Sequence, residues 1–201
     1  MSEPFLIPLF PDTLYSRELE LSKIDLSDIV YKDNIGNLIS EDHYILEQER
    51  FKDIKESVTR CINEYFYEIM QATQETEIYI TESWVNKTVK GQYHHQHTHT
   101  NSVISGVLFL EYDDKDMTGK INFVSPKYHQ IDFDVYNQNA FNGKRFAVTP
   151  KQGVILLFPS WLPHSVDSYK GDAPRISLSF NTFLSRTISV RPTQSLSLSI
   201  V

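Results

Sequence analysis

From residue 77 the chain consists almost entirely of short segments rich in Val, Ile, Tyr, Phe and Thr, and this pattern restricts its fold more than any other feature. The segments run over Glu77–Val89, Ser102–Glu111, Gly119–Val124, Gln130–Val135, Ala140–Val148, Gly153–Phe158, Ser165–Ser168 and Arg175–Leu184. Turn formers separate them, as in Asp113-Asp114-Lys115-Asp116 and Thr149-Pro150-Lys151-Gln152-Gly153. Many short strands at near-regular spacing specify an all-β sandwich or barrel, in which each strand has its apolar face covered by another sheet.

The first third differs. Residues 4–32 alternate apolar and polar in places (Leu19, Leu21, Ile24 and Leu26 against Glu18, Glu20, Ser22 and Lys23) and read as one or two short strands. Residues 33–40 are turn-rich and mark a connector. Phe51, Ile54, Val58, Cys61, Ile62, Tyr65, Phe66, Ile69 and Met70 then recur at spacings of three and four, which predicts a helix packed flat on a sheet. The expected architecture is therefore mainly β with an N-terminal α-helix, in a single domain over 1–201. Residues 1–76 carry the N-terminal strands and packing helix, 77–184 the β core, and 185–201 a tail. That tail alternates strictly from Ser195 to Val201, as a free edge strand or the contact of a homodimer would.

Composition narrows the function classes. With 26 Asp and Glu against 19 Lys and Arg, no basic excess exists to neutralise phosphates, and no nucleic-acid partner is expected. No apolar stretch approaches a membrane span, and the N-terminal apolar run is broken by Pro4 and Pro8 without a basic flank, so the reading is a soluble, cytoplasmic protein. A lone Cys61 excludes an intramolecular disulfide framework and a thiolate zinc cluster. Any metal must be held by histidine and carboxylate.

Four of the seven histidines fall in Gly91-Gln92-Tyr93-His94-His95-Gln96-His97-Thr98-His99. In an extended strand His95, His97 and His99 share one face, and His94, Gln96 and Thr98 the other. Two imidazoles at i and i+2 can bind one divalent ion, with a third ligand supplied from elsewhere; a solvated histidine strip is the competing reading. A distant segment supplies the candidate. The apolar strand Gly153–Phe158 runs into Pro159-Ser160-Trp161-Leu162-Pro163-His164 and delivers one histidine, and the next strand places Arg175, Ser177 and Ser179 on one face. An inward arginine on a strand needs an anion, because a buried charge cannot be left unpaired.

Taken in order, Trp84-Val85-Asn86, Gly91, His97-Thr98-His99, Ser105-Gly106-Val107-Leu108-Phe109-Leu110, Gly153, Phe158-Pro159-Ser160 through His164, and Arg175-Ile176-Ser177 resemble the Fe(II)- and 2-oxoglutarate-dependent dioxygenase superfamily. The likeness is greatest to a branch of 2OG-Fe(II) oxygenases with a His-x-His motif, and it covers about residues 80–183. It implies a double-stranded β-helix (a cupin-like jelly roll) and a non-haem Fe(II) enzyme that hydroxylates a small-molecule or peptide substrate while 2-oxoglutarate is decarboxylated to succinate. By the same resemblance His97, His99 and His164 are the metal ligands. Arg175 pairs with the distal carboxylate of 2-oxoglutarate, with Ser177 beside it as a hydroxyl donor.

Two positions depart from the family pattern. Position 99 is histidine where most members have Asp or Glu, and an all-imidazole set also suits Ni(II), Cu(II) or Zn(II). A set using His95 and His97 ranks second. Phe109 stands where related enzymes often have a co-substrate-binding tyrosine, which leaves Asn86 or Tyr93 to supply that bond. Trp161 reads as a lid over the metal pocket or as core packing. The loops after 111 and around 136–146 are expected to shape the substrate mouth. A cupin-type metal-binding protein without oxygenase activity, and a structural or assembly β-roll protein, are the alternative functions.

Overall fold

The structure is a computed structural model that describes residues 4–5, 7, 9–127, 133–139 and 141–186. Its strands are β1 (Tyr15–Glu18), β2 (Tyr31–Asp33), β3 (Leu38–Ser40), β4 (Thr76–Thr88), β5 (His94–His97), β6 (Ile104–Glu111), β7 (Ile121–Val124), β8 (Arg145–Val148), β9 (Val154–Pro159), β10 (His164–Val166) and β11 (Arg175–Arg186). They form a seven-stranded sheet in the order β1-β9-β6-β11-β4-β3-β2 and a four-stranded sheet in the order β5-β10-β7-β8. Every strand pair is antiparallel. The body is thus mostly β, two antiparallel sheets in a jelly-roll arrangement.

Side-chain alternation explains why the large sheet needs two partners. On β11, Ile176, Leu178 and Phe180 point outward into a core shared with Ile155, Leu157 and Leu108 of neighbouring strands and with the helix α1 (Lys52–Asn63). Val107, Phe109, Leu156 and Phe158 point the other way and pack on Ile121 and Phe123 of the small sheet. Helix α1 fills the outer face with Ile54, Val58, Cys61 and Ile62, and its last turn widens into a π-helical turn at Glu64–Ile69 that buries Tyr65 and Phe66. Cys61 is buried and free.

The helix is not N-terminal. It follows three strands, and the expectation is corrected to a helix inserted between β3 and β4. The physical reason is the use made of the first forty residues: β1 extends one edge of the large sheet beside β9, and the β2–β3 hairpin extends the opposite edge beside β4. Between them Leu19, Leu21, Ile24 and Leu26 cross the outer face as half-buried packing rather than as a strand. The expected connector at 33–40 is itself this hairpin, closed by the Asn34 N–H on the Asn37 carbonyl at 2.9 Å. Gly36 there has φ +91°, and a Cβ would sit 2.7 Å from the Tyr93 carbonyl oxygen, so the turn admits only glycine.

Of the expected strand Gln130–Val135, residues 133–135 are not in a strand and the rest lies outside the described residues, as does the alternating tail. No helix among the described residues is long and apolar enough to cross a membrane.

Candidate active site

The cavity lies between the sheets, where β4 and β11 of the large sheet face β5 and β10 of the small one. Register dictates its lining. Arg175, Ser177 and Ser179 of β11 stand opposite Thr88, Asn86 and Trp84 of β4, and all six side chains line the cavity. Across from them come His97 of β5 and His164 of β10, which are register partners, with His99 just past the end of β5.

His97, His99 and His164 each offer a ring nitrogen within 4.8 Å of the others. His99 Nε2 is 3.3 Å from His164 Nε2. Two nitrogens bound at a right angle to one ion at about 2.1 Å would stand about 3.0 Å apart, so the pair is already near chelating separation. The other nitrogen is occupied in two of the rings: Nδ1 of His97 meets the His95 carbonyl at 2.9 Å, and Nδ1 of His164 meets the Leu162 carbonyl at 3.0 Å. A protonated Nδ1 donating to each carbonyl leaves an Nε2 lone pair aimed into the cavity, the orientation a metal-bound histidine requires. Burial pushes His99 down to about 3 and His164 down to about 4, and it also lowers His97, so near neutrality the rings are in the uncharged form that binds metal. The backbone N–H of His99 donates to the Ser160 carbonyl at 2.9 Å, fixing that ligand arm to the turn before His164.

Arg175 occupies the far end of the cavity. It is 2% exposed, with no carboxylate against it. Its Cζ lies 5.1 Å over the Phe109 ring, its Nη1 approaches Ser177 Oγ at 3.5 Å, and its Nε has no hydrogen-bond partner among the described residues. Burial pulls the guanidinium down to about 10, still fully charged at neutral pH. A buried cation with an orphaned donor, facing three neutral imidazoles, fits a bound dianion that reaches from the arginine to a metal at the histidines.

The sequence-level expectations map onto this cavity unevenly. His97, His99, His164, Arg175, Ser177 and Asn86 line it together. Asn86, however, is already engaged: its Nδ2 donates to Ser179 Oγ at 3.0 Å and its Oδ1 accepts from Asn37 Nδ2 at 3.2 Å. Tyr93 is not in the cavity; it is 47% exposed and packs its ring against Gly36 of the β2–β3 hairpin. His95 lines no part of it either, whereas His94 does. Strict alternation turns His94 outward, but β5 carries a bulge: His164 pairs with His97 and Val166 with His94, so three steps on β5 match two on β10. Asn37 was not singled out from sequence, since only the pairing of β3 with β4 brings it to the site.

A wider opening of about 290 Å³ adjoins the histidines and is lined by Asn34, Ile39, His43, Glu82, Thr98 and Asn181. The expected mouth loops lie elsewhere. The loop after 111 packs at the arginine end, where Tyr112 Oη donates to the Thr118 carbonyl at 3.0 Å, and Phe141 and Arg145 line a separate groove behind Phe123. Trp161 is exposed and lines neither opening.

Fold and site together define a jelly-roll protein with a three-histidine cluster and a buried arginine in one cavity. Residues 82–181 match the family described as "Putative 2OG-Fe(II) oxygenase", and the chain belongs to the 2OG-Fe(II) oxygenases: it is a 2-oxoglutarate-dependent dioxygenase. Solved structures share the fold at low identity. A 2OG-Fe(II) oxygenase-family oxidoreductase from Burkholderia pseudomallei is 13% identical, with 78% of this chain and 73% of that one covered and a TM-score of 0.53. A Pseudomonas putida prolyl-4-hydroxylase is 14% identical, with 84% and 91% covered and a TM-score of 0.52. HygX from Streptomyces hygroscopicus, solved with nickel and 2-oxoglutarate bound, is 10% identical, with 88% and 84% covered and a TM-score of 0.53. No curated protein sequence matches the chain.

Proposed function

We propose that His97, His99 and His164 hold the Fe(II) ion, that Arg175 and Ser177 bind the distal carboxylate of 2-oxoglutarate, and that the enzyme hydroxylates a small molecule or peptide presented at the histidine-side opening. The single observation carrying this reading is Arg175: a buried charge with an unpartnered Nε at one end of a cavity whose other end is three metal-competent imidazoles. When bound, Fe(II) with 2-oxoglutarate would supply activation of dioxygen, one oxygen atom going to the succinate left when 2-oxoglutarate loses carbon dioxide and the other to a substrate C–H bond.

The protein's own contribution is positioning. The carbonyls of His95 and Leu162 fix the ring orientation of His97 and His164. Phe109 and Ser177 hold the guanidinium facing the cavity. Val107, Phe158 and Val166 keep the chamber wall apolar and exclude bulk water. We read the two sheets as a double-stranded β-helix with the site in its mouth. A cytoplasmic setting belongs to the same proposal, supported by the free, buried Cys61.

The test is anaerobic addition of Fe(II) and 2-oxoglutarate, followed by succinate measurement after oxygen is admitted. A weak visible charge-transfer band and slow, substrate-independent succinate formation are expected. Absence of both at saturating concentrations would overturn the assignment.

A further inference from the structure

Among the described residues, His94 is the one imidazole lining the cavity that the proposed ligand set does not use. Its ring centroid is 4.4 Å from that of His97, and it lines the same chamber as Arg175 and Ser177. It shares an inward face with its register partner Val166 because of the extra residue in β5; an unbulged strand would have sent it to solvent. Its nitrogens make no hydrogen bond to any described residue, in contrast to the locked Nδ1 atoms of His97 and His164. Neutral imidazole carries one N–H donor and one acceptor, so His94 brings a free donor to the histidine end of a cavity built for a dianion. Of the other polar side chains lining the cavity, Asn86 is bonded at both ends, its Nδ2 on Ser179 Oγ and its Oδ1 on Asn37 Nδ2. Phe109, packed under the guanidinium, has no donor to give.

We propose that His94 is a co-substrate-binding residue whose ring N–H donates to the 2-oxoglutarate carboxylate at the metal end, completing a clamp whose other jaw is Arg175. The inference rests on the function proposed above and adds to it a second anion contact and a role for the bulge. The same imidazole has one competing use, because His94, His95 and His97 also bring ring nitrogens within 4.8 Å of one another and form an alternative metal group. His95 packs outside the chamber, so that group would draw an ion away from Arg175. The continuity of His94 with the arginine favours the co-substrate role.

Calorimetric titrations separate these possibilities. Wild type, His94→Leu, His94→Gln and Arg175→Met are titrated first with Ni(II) and then, nickel-loaded and anaerobic, with 2-oxoglutarate. A lost hydrogen bond to a charged group predicts about a 10- to 100-fold weaker 2-oxoglutarate affinity for His94→Leu at unchanged nickel stoichiometry and affinity. His94→Gln, which keeps a donor, should recover a large part of it. The charge-transfer maximum of the Fe(II) complex should shift in His94→Leu, since the chelating carboxylate loses a partner. Equal 2-oxoglutarate affinity in wild type and His94→Leu, with Arg175→Met impaired, would overturn the role of His94 alone. Weakened nickel binding in His94→Leu would overturn it in favour of the alternative metal group. If nickel-loaded wild type does not bind 2-oxoglutarate, the proposed function itself fails.

Discussion

Replacing Arg175 by methionine should stabilise the metal-free protein while abolishing its response to 2-oxoglutarate. Burial lowers the guanidinium from its ordinary value to about 10, so holding the charge in the fold costs on the order of 3 kcal/mol. Two contacts offset this cost. The cation over the Phe109 ring contributes about 0.5–2 kcal/mol, and the approach to Ser177 at 3.5 Å is at the outer limit of a hydrogen bond. Methionine fills much the same channel without a charge, so Arg175→Met should gain about 1–2 kcal/mol. For a chain of this size that raises the melting temperature by roughly 2–8 °C. In manganese-loaded wild type, 2-oxoglutarate at about 100 times its dissociation constant should add about 2.7 kcal/mol of stability, and in the variant nothing measurable. Thermal melts of both proteins with and without 2-oxoglutarate read the two effects at once. A variant less stable than wild type without ligand would show that Arg175 is a structural cation, and a variant that keeps the ligand-induced shift would show that the anion binds elsewhere.

Four further outcomes follow from the same geometry. His164→Ala should take the bound metal from one equivalent to near zero by elemental analysis, and retention of a full equivalent would place the ion within the 94–99 run alone. His99→Asp should keep metal binding but move preference away from Cu(II) and Ni(II) toward Mn(II) and Fe(II) in competition titrations, because a hard oxygen replaces imidazole; an unchanged order would remove position 99 from the ligand set. Burial holds His94, His99 and His164 at about 3, 3 and 4, below the ordinary 6.5, so the unfolded chain takes up protons first as pH falls. Their contribution is whole above about pH 6.5 and is lost below it by about 1.4 kcal/mol per histidine per pH unit; urea melts of metal-free protein that are unchanged between about pH 7 and about pH 5 would contradict the burial of these rings. Gly106→Ala should cost about 1–3 kcal/mol in the same melts, since its Cβ would meet the Phe180 ring and come 2.7 Å from Leu157 Cδ2; no loss would mean that the β6–β11 contact is looser than drawn.

How far the sequence could be read depended on whether the determinant was local. The alternation of Arg175, Ser177 and Ser179 against Ile176, Leu178 and Phe180 is a property of one strand, and the structure divides those residues between cavity and outer core as the alternation predicts. The three-and-four spacing of Ile54, Val58, Cys61 and Ile62 is likewise local, and these are the residues α1 buries. Alternation sets His94 on the face opposite His97, at the rim of the site, and the bulge that turns it into the cavity depends on how β5 pairs with β10, about seventy residues away in the chain. Asn37 and Tyr93 are the same case on another element: the β2–β3 hairpin brings Asn37 to Asn86 and stops Tyr93 against Gly36, and no periodicity in either segment encodes that contact. The first forty residues show alternation without saying which edge of which sheet receives it, and they serve two opposite edges.

The missing carboxylate and the buried arginine are two sides of one charge balance. Among the described residues no Asp or Glu lines the cavity; Glu82 lines the outer opening, where it accepts from Asn181 Nδ2 at 2.7 Å. With three neutral imidazoles as ligands, a divalent ion and Arg175 would together put three positive charges in a chamber with no acidic side chain among its described lining residues. With His97, His99 and His164 on the metal and Arg175 on the distal carboxylate, a bound 2-oxoglutarate dianion would offset two of them, and a monoanion only one. Metal and co-substrate should therefore bind with positive cooperativity, and more strongly so than if position 99 were an aspartate, whose own charge would already have satisfied part of the ion's demand. On this argument His99 does not weaken the case for a dicarboxylate co-substrate. As a ligand in the proposed set, it would transfer to that co-substrate a share of the charge compensation that a carboxylate ligand would otherwise provide, in keeping with an Arg175 that has no acidic partner among the described residues.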